Sequence, residues 1–212
     1  MEHLNEEIWT VPSQLLDRIG PFQGICLTPQ LYLPELLNPQ NAKFLPRFVA
    51  ENDPTYKQLI PYCIFTFEDK VLRYFRGSSG AESRLHRLAS IGIGGHINRS
   101  DLQDNLPDKI TYYRALYREL NEEISTPNSF ASEKIIALIN DDSNPVGQVH
   151  LGIVHKFSLN SPKVSSREAK MRAIALFEEV KLPNPNRIFE AYPHQLSGGQ
   201  KQRVMIAMAI SC

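Results

Sequence analysis

The sequence predicts an α+β fold: a mixed β-sheet with helices packed on its faces, followed by a short helical C-terminal segment. Three observations predict it. Runs of β-branched and aromatic residues separated by polar turns recur between residues 61 and 157, one strongly periodic helix interrupts them, and the strand pattern stops near residue 160. The order strand, strand, strand, helix, strand, strand disfavours a doubly wound parallel sheet, in which strands and helices alternate.

Taken in order, residues 1–60 are rich in proline and carry short apolar runs such as Leu31-Tyr32-Leu33 and Phe48-Val49. They read as a loop-rich lead-in with short helices, one of them near Pro34 to Leu37. Tyr62 to Phe67, the turn Glu68-Asp69-Lys70 and Val71 to Phe75 read as strand, turn, strand. Leu88 to Ile93 is a further strand, ending at Gly94-Gly95. Tyr112 to Ile124 has helical spacing: Leu116, Leu120 and Ile124 recur every fourth residue, with Tyr113 on the same side. Pro127 closes that helix. Lys134 to Asn140 and Gly147 to Phe157 form a second hairpin around Asp141-Asp142-Ser143-Asn144-Pro145. Residues 160–165 read as a linker, Arg167 to Val180 as a helix and Val204 to Ile210 as a buried helix. The domains expected are therefore 1–164, including the lead-in, and 165–212.

The chain has 23 Lys plus Arg and 23 Asp plus Glu, a formal charge of zero that gives no whole-protein attraction for nucleic acid or an acidic membrane. No apolar stretch approaches the ~18 residues needed to cross a bilayer, and the acidic N-terminus does not read as a signal peptide. Cys26, Cys63 and Cys212 are an odd, scattered set without a CxxC pair, as suits reduced thiols in a cytoplasmic protein.

Arg118-Glu119-Leu120-Asn121-Glu122-Glu123 is the first stretch that carries chemistry. On a helix Glu119, Glu122 and Glu123 fall within an arc of roughly 100°, beside the apolar stripe. Three crowded carboxylates repel one another unless a cation sits among them, and hard oxygen ligands suit Mg²⁺ or Mn²⁺. A solvated acidic face with an Arg118–Glu122 pair is the plainer alternative.

Gly95 together with residues 118–123 resembles the Nudix box, G-x5-E-x7-R-E-U-x-E-E-x-G-U, and the flanking strands look like the Nudix α/β/α sandwich over residues 60–157. Phe44-Leu45-Pro46-Arg47, Gln58 to Tyr62 and Asp141 to Gly152 are similar to a bacterial subgroup of predicted phosphoesterases, extending the likeness to about residue 20. The resemblance implies that Glu122 and Glu123 ligate a divalent cation and that Gly95 offers it a backbone carbonyl. Glu119 would be a further ligand or the base that activates water, and Arg118 would orient the glutamates. The implied reaction is attack of water on a phosphoanhydride such as a nucleoside diphosphate derivative. Three departures stand out. Gly95 and Arg118 lie 23 positions apart, nine more than in the pattern; Ile110 occupies the position of the first glutamate; Ser125 replaces the last glycine. Asp101, Asp104 or Asp108 in the longer loop is positioned to compensate. His96 reads mainly as a loop residue with a structural hydrogen bond, with phosphate contact the alternative. His150 and His155 fall on opposite faces of their strand.

Ala191 to Val204 is more specific. Leu196-Ser197-Gly198-Gly199-Gln200 resembles the signature motif of ABC transporter ATPases, in a longer string like that of the oligopeptide and dipeptide importers. Ser197 suits a helix N-cap, and Gly198 and Gly199 let backbone N–H groups approach a phosphate. The resemblance implies that Ser197, Gly198, Gly199 and Gln200 contact nucleotide bound by another subunit. These 212 residues contain no G-x-x-x-x-G-K-[ST], so ATP hydrolysis in cis is not expected.

Three functions follow: a Mg-dependent Nudix-type hydrolase, a non-catalytic fusion remnant, or an ABC-related fragment acting with transporter subunits. The partners implied are a small nucleotide or pyrophosphate substrate, with no membrane insertion; a homodimer is compatible with all three. Arg167 to Val180 stands where the resemblance to a Nudix fold implies a closing helix, which would make Glu168 an extra ligand.

Overall fold

The computed structural model describes residues 6–75, 89–103, 106–125, 130–161, 165–166, 176–191 and 193–210. Contacts divide the chain into two units: residues 1–120 with 128–162, and residues 121–127 with 163–212.

The first unit is built on a sheet in which eight strands of mixed direction take part, ordered β2-β10-β11-β4-β1-β3, with β5 and β8 also paired to β4. Strand β4 (Tyr56–Phe67) is its axis. It runs parallel to β11 (His150–Ser158) and antiparallel to β1 (Glu7–Pro12), β5 (Lys70–Val71) and β8 (Gly92–Gly94). Strands β1 and β8 share one edge of β4 in succession, β1 on residues 56–58 and β8 on residues 62–64. Strand β10 (Ser132–Asn140) joins β11 to the edge strand β2 (Gly24–Cys26), and β3 (Lys43–Pro46) closes the opposite edge beside β1.

The proline-rich lead-in is more than loops and short helices. It supplies β1, β2 and β3, and Ile8, Trp9 and Val11 are fully buried. Ile8-Trp9-Thr10-Val11 is a β-branched and aromatic run of the kind that fills an inner strand, and Pro12 ends it. Short helices do lie within the lead-in, including α1 (Gln14–Ile19), α2 (Leu33–Leu36) and α3 (Arg47–Ala50).

The first hairpin turns at Glu68-Asp69, where Phe67 pairs with Lys70 and Glu68 takes a left-handed conformation, φ 53°. The second hairpin joins β10 to β11 through α5 (Pro145–Gln148), which Asn144 caps by accepting from Gly147 N. The expected strand at 88–93 is two short strands, β7 (Ala89–Ser90) and β8, the first paired with β6 (Tyr74–Phe75); Leu88 lies outside the described residues.

Helix α4 (Lys109–Glu123) buries Thr111, Tyr112, Ala115, Leu116 and Leu120. Tyr112 replaces Tyr113 on the buried face because 112, 116 and 120 share the four-residue spacing. Asp108 starts the helix, its Oδ1 accepting from Thr111 N at 2.8 Å and from Thr111 Oγ1 at 3.0 Å.

In the second unit β9 (Ile124–Ser125) pairs antiparallel with β12 (Ser165–Ser166). Its core is Phe177, Leu182, Ile188 and Ala207, packed by Leu176, Val180, Phe189, Leu196 and Val204. It holds the helices Pro185–Glu190 and Gly198–Ile210. The expectation of a buried helix over 204–210 is corrected. That segment belongs to a longer, one-sided helix in which Met205 is 69% and Ile206 47% exposed while Ala207 is buried. Of the helix expected over 167–180, residues 176–179 are helical and 167–175, with Glu168, lie outside the described residues. Among the described residues no helix is long and apolar enough to cross a membrane.

Candidate functional site

Strand β8 ends at Gly94, and the chain then runs beside β1: Trp9 N donates to Ile97 O, and Ile8 bridges to Asn98. This brings Gly95 against α4. A Cβ on Gly95 would lie 2.0 Å from Cδ and 2.1 Å from Oε2 of Glu119, so the glycine backbone and the carboxylate are in immediate contact. No other residue fits there without displacing Glu119.

Arg118 holds that carboxylate from the side. Its Nη1 donates to Glu119 Oε1 at 2.7 Å, its Nε and Nη2 grip both oxygens of Asp101 at 2.8 and 2.9 Å, and Nη2 also donates to His96 O at 3.0 Å. Asp101 is buried, and its Oδ2 accepts from Asn98 N at 2.8 Å, closing the short turn that follows Gly95. A bidentate, charge-assisted fork of this kind fixes direction as well as charge. These hydrogen bonds, Asp101's first among them, and the attraction of both carboxylates hold the Arg118 guanidinium pKa above its ordinary value against the cost of burial.

His96 sits beside this cluster. Burial, then the charges of Arg47, His150 and Arg118, lowers its pKa from 6.5 to about 3, so its imidazole is neutral throughout the ordinary pH range. Its Nε2 is buried without a hydrogen-bond partner. The structural hydrogen bond at His96 is made by its backbone carbonyl, to Arg118. The His150 ring lies 5.7 Å from that of His96, with Nδ1 donating to Val146 O at 2.7 Å.

The three loop aspartates have distinct fates: Asp101 binds Arg118, Asp108 caps α4, and Asp104 lies outside the described residues. Ile110 is 60% exposed on the first turn of α4 and touches none of this chemistry. Glu122 and Glu123, in the last turn of α4, are exposed and fall in the second contact unit. The described residues contain no group of three His, Cys, Asp or Glu side chains able to hold a metal ion. Arg118 holds the Glu119 carboxylate beside Gly95.

A buried polar chain was not legible in the sequence. His155 Nδ1 meets Glu133 Oε1 at 2.6 Å, and its Nε2 meets the Tyr112 hydroxyl at 2.6 Å. Because a carboxylate only accepts, Nδ1 carries the proton and Tyr112 donates to Nε2. Burial lowers the His155 pKa more than Glu133 raises it. The one available signal was a histidine on the same strand face as Ile153 and Phe157.

In the second unit Ser197 and Gln200 cap the helix reciprocally: Gln200 N donates to Ser197 Oγ at 3.3 Å and Ser197 N to Gln200 Oε1 at 2.9 Å. Gly198 and Gly199 are exposed, and a Cβ on either would meet nothing within 4 Å.

Comparison with known proteins supports both halves. The crystal structure of Tm1382, described as a candidate Nudix hydrolase, superposes with a TM-score of 0.61 at 28% identity, covering 76% of this chain and 85% of that one. Protein YmaB of Bacillus subtilis (strain 168) is 41% identical over 112 residues, 52% of this chain and 53% of its own length. The glutathione import ATP-binding protein GsiA of Shigella dysenteriae serotype 1 (strain Sd197) is 38% identical over 98 residues, 44% of this chain and 16% of its own. The chain thus spans about half of YmaB and about a sixth of GsiA. The ABC transporter family model matches residues 93–212. That match begins inside β8, so its first part overlaps α4, β10 and β11, which belong to the mixed sheet unit. We place the division by the fold, because β11 pairs with β4, β10 pairs with β11 and Tyr112 of α4 hydrogen-bonds His155 of β11, whereas the signature helix lies in the second unit. The chain belongs to the ABC transporter family by its match over residues 93–212, and its sheet unit, which that match overlaps, has the Nudix hydrolase fold.

Proposed function

We propose that the sheet domain is a Nudix-type hydrolase that cleaves a phosphoanhydride, in a nucleoside diphosphate derivative or a similar pyrophosphate. The observation that carries this reading is the contact of Gly95 with the Glu119 carboxylate, held by an Arg118–Asp101 fork. Glu119 is aimed by a guanidinium and pressed against a backbone with no Cβ, an arrangement suited to taking a proton from a water attacking phosphorus. The Arg118 guanidinium and the neutral imidazole of His96 are polar groups of the same neighbourhood that suit contact with phosphate oxygens.

Magnesium or manganese fits in part. The donor chemistry is right, and a hard cation needs only one or two carboxylates when substrate phosphates and water complete its shell. Gly95 carbonyl, Glu119, Glu122 and Glu123 are the proposed donors, and a bound cation would neutralise charge on the phosphates and acidify its water. The chain's own part is to fix Glu119, keep Arg118 charged, and offer His96 Nε2 to a phosphate.

The test is release of phosphate or nucleoside monophosphate from dinucleoside polyphosphates, ADP-ribose and nucleotide sugars, with Mg²⁺ and with chelator. Glu122→Gln and Glu119→Gln should each lower kcat by about 100-fold or more. Turnover unchanged in both variants, or in chelator, would refute the reading.

A second reading concerns the C-terminal unit, where neither packing nor a left-handed φ calls for glycine at 198 and 199. Ser197, Gly198, Gly199 and Gln200 are then available for nucleotide held by a separate ATP-binding subunit. It predicts ATP-dependent capture of a peptide-importer ATPase, lost on Ser197→Arg. Capture that is unaffected by that change, or by removing ATP, would contradict it.

A further inference from the structure

A cavity of about 320 Å³ opens in the sheet domain, lined by residues that include Asp17, Phe22, Lys57, Asn140, Asp142 and Gln148. It shares no lining residue with the Gly95–Arg118–Glu119 cluster. Its floor is built rather than incidental. Lys57, whose side chain is 4% exposed, pairs with Asp142 and donates to Gly147 O at 2.9 Å. Asn140, 3% exposed, donates through Nδ2 to Phe22 O at 3.0 Å and to Asp142 Oδ2 at 3.1 Å. Both of those partners only accept, so the amide cannot be turned over, and its oxygen is fixed as an acceptor. That oxygen, Asn140 Oδ1, is buried with no partner. A buried polar atom without a partner costs free energy that a ligand would recover.

Two further lining groups have the same sense, while the Lys57 ammonium is engaged by Asp142 and Gly147 O. Gln148 spends its Nε2 on Asp142 O at 3.1 Å, which leaves its side-chain oxygen as the acceptor. Asp17 adds a carboxylate, and the lining charges of Asp17, Asp142 and Lys57 leave one net negative. The apolar part of the lining is Leu16, Pro21, Phe22 and Pro54. The volume lies at the lower end of small-ligand sites.

We propose that this cavity is a binding site for a small cationic ligand rich in N–H donors, an amidine, guanidine or amine on a compact apolar body. The apolar body would lie on Phe22 and Pro21, and the donors would serve Asn140 Oδ1, Gln148 Oε1 and the Asp17 carboxylate.

The test uses the full chain and three probes of one shape: benzamidine, benzoate and benzyl alcohol, followed by ligand-observed NMR and calorimetry. Benzamidine should bind and the other two should not. Asp17→Asn, an exposed change that leaves the fold intact, should weaken benzamidine by about tenfold, as should Gln148→Leu. Asn140→Leu should abolish binding, with circular dichroism establishing that it is folded; if it is not, the Asp17 and Gln148 variants decide. Benzoate binding as well as benzamidine, no binding of benzamidine, or binding unmoved by the Asp17 and Gln148 changes would each overturn the proposal.

Discussion

Gly95 shows what a single residue controls in this domain. With Glu119 Cδ 2.0 Å from the place of a Cβ, Gly95→Ala must expel the carboxylate from its seat beside Arg118. The variant should remain folded, lose about 1–3 kcal/mol of stability, and lose hydrolysis along with Glu119's position. Thermal unfolding beside a hydrolysis assay checks both parts. Arg118→Ala is the harsher change, because it strands a buried Asp101 as well as freeing Glu119. About 3 kcal/mol should be lost, read from the urea midpoint.

His96 gives a pH signature. Its pKa is about 3 folded against 6.5 unfolded, so between these values the unfolded chain binds the extra proton and stability falls as pH falls. The loss should begin near pH 6.5 and reach about 2 kcal/mol by pH 5. His96→Gln should flatten the curve over that window and leave the carboxylate limb below about pH 4 in place. An unchanged slope from pH 7 to 5 would show that His96 titrates normally in the folded state.

At the scale of elements, the turn between β10 and β11 is the most constrained piece of backbone. A Cβ on Gly147 would lie 1.7 Å from Asp141 O, and Gly147 also supplies its N–H to Asn144 and its carbonyl to Lys57. Gly147→Ala should therefore cost about 2–4 kcal/mol, by chemical denaturation, while Gly198→Ala, which meets open space, should cost well under 1 kcal/mol.

This element also shows what was legible beforehand. Asp141 to Pro145 read as a turn from its Asp, Asn, Ser and Pro content, and α4 read as a helix from Leu116 and Leu120, whereas Gly147, expected to open the next strand, lies in α5. Strand β1 did not, because the prolines around it suggested loops and a single strand carries no sign of the strands it joins. The partnership of Arg118 with Asp101, 17 residues away, was equally hidden. Local pattern reports which face of an element is apolar, but the pairing of side chains across a long loop is decided by the tertiary fold.

For the whole molecule, two ancestries meet in one polypeptide. The sheet domain buries apolar residues from Ile8 to Phe157, whereas among the described residues of the second unit the core cluster is Phe177, Leu182, Ile188 and Ala207. Its signature helix is capped internally by Ser197 and Gln200, and these 212 residues carry no phosphate-cradling G-x-x-x-x-G-K-[ST]. Under the proposed function, hydrolysis by the isolated chain is the work of the sheet domain.

Single-turnover hydrolysis of a nucleoside diphosphate derivative by the full chain and by Glu119→Gln, at equal folded concentration in Mg²⁺, tests this most directly. A burst of nucleoside monophosphate from the unaltered chain, slowed about 100-fold or more in the variant, is the predicted result. Equal rates from the two proteins, or no product from either across the substrate panel, would contradict it.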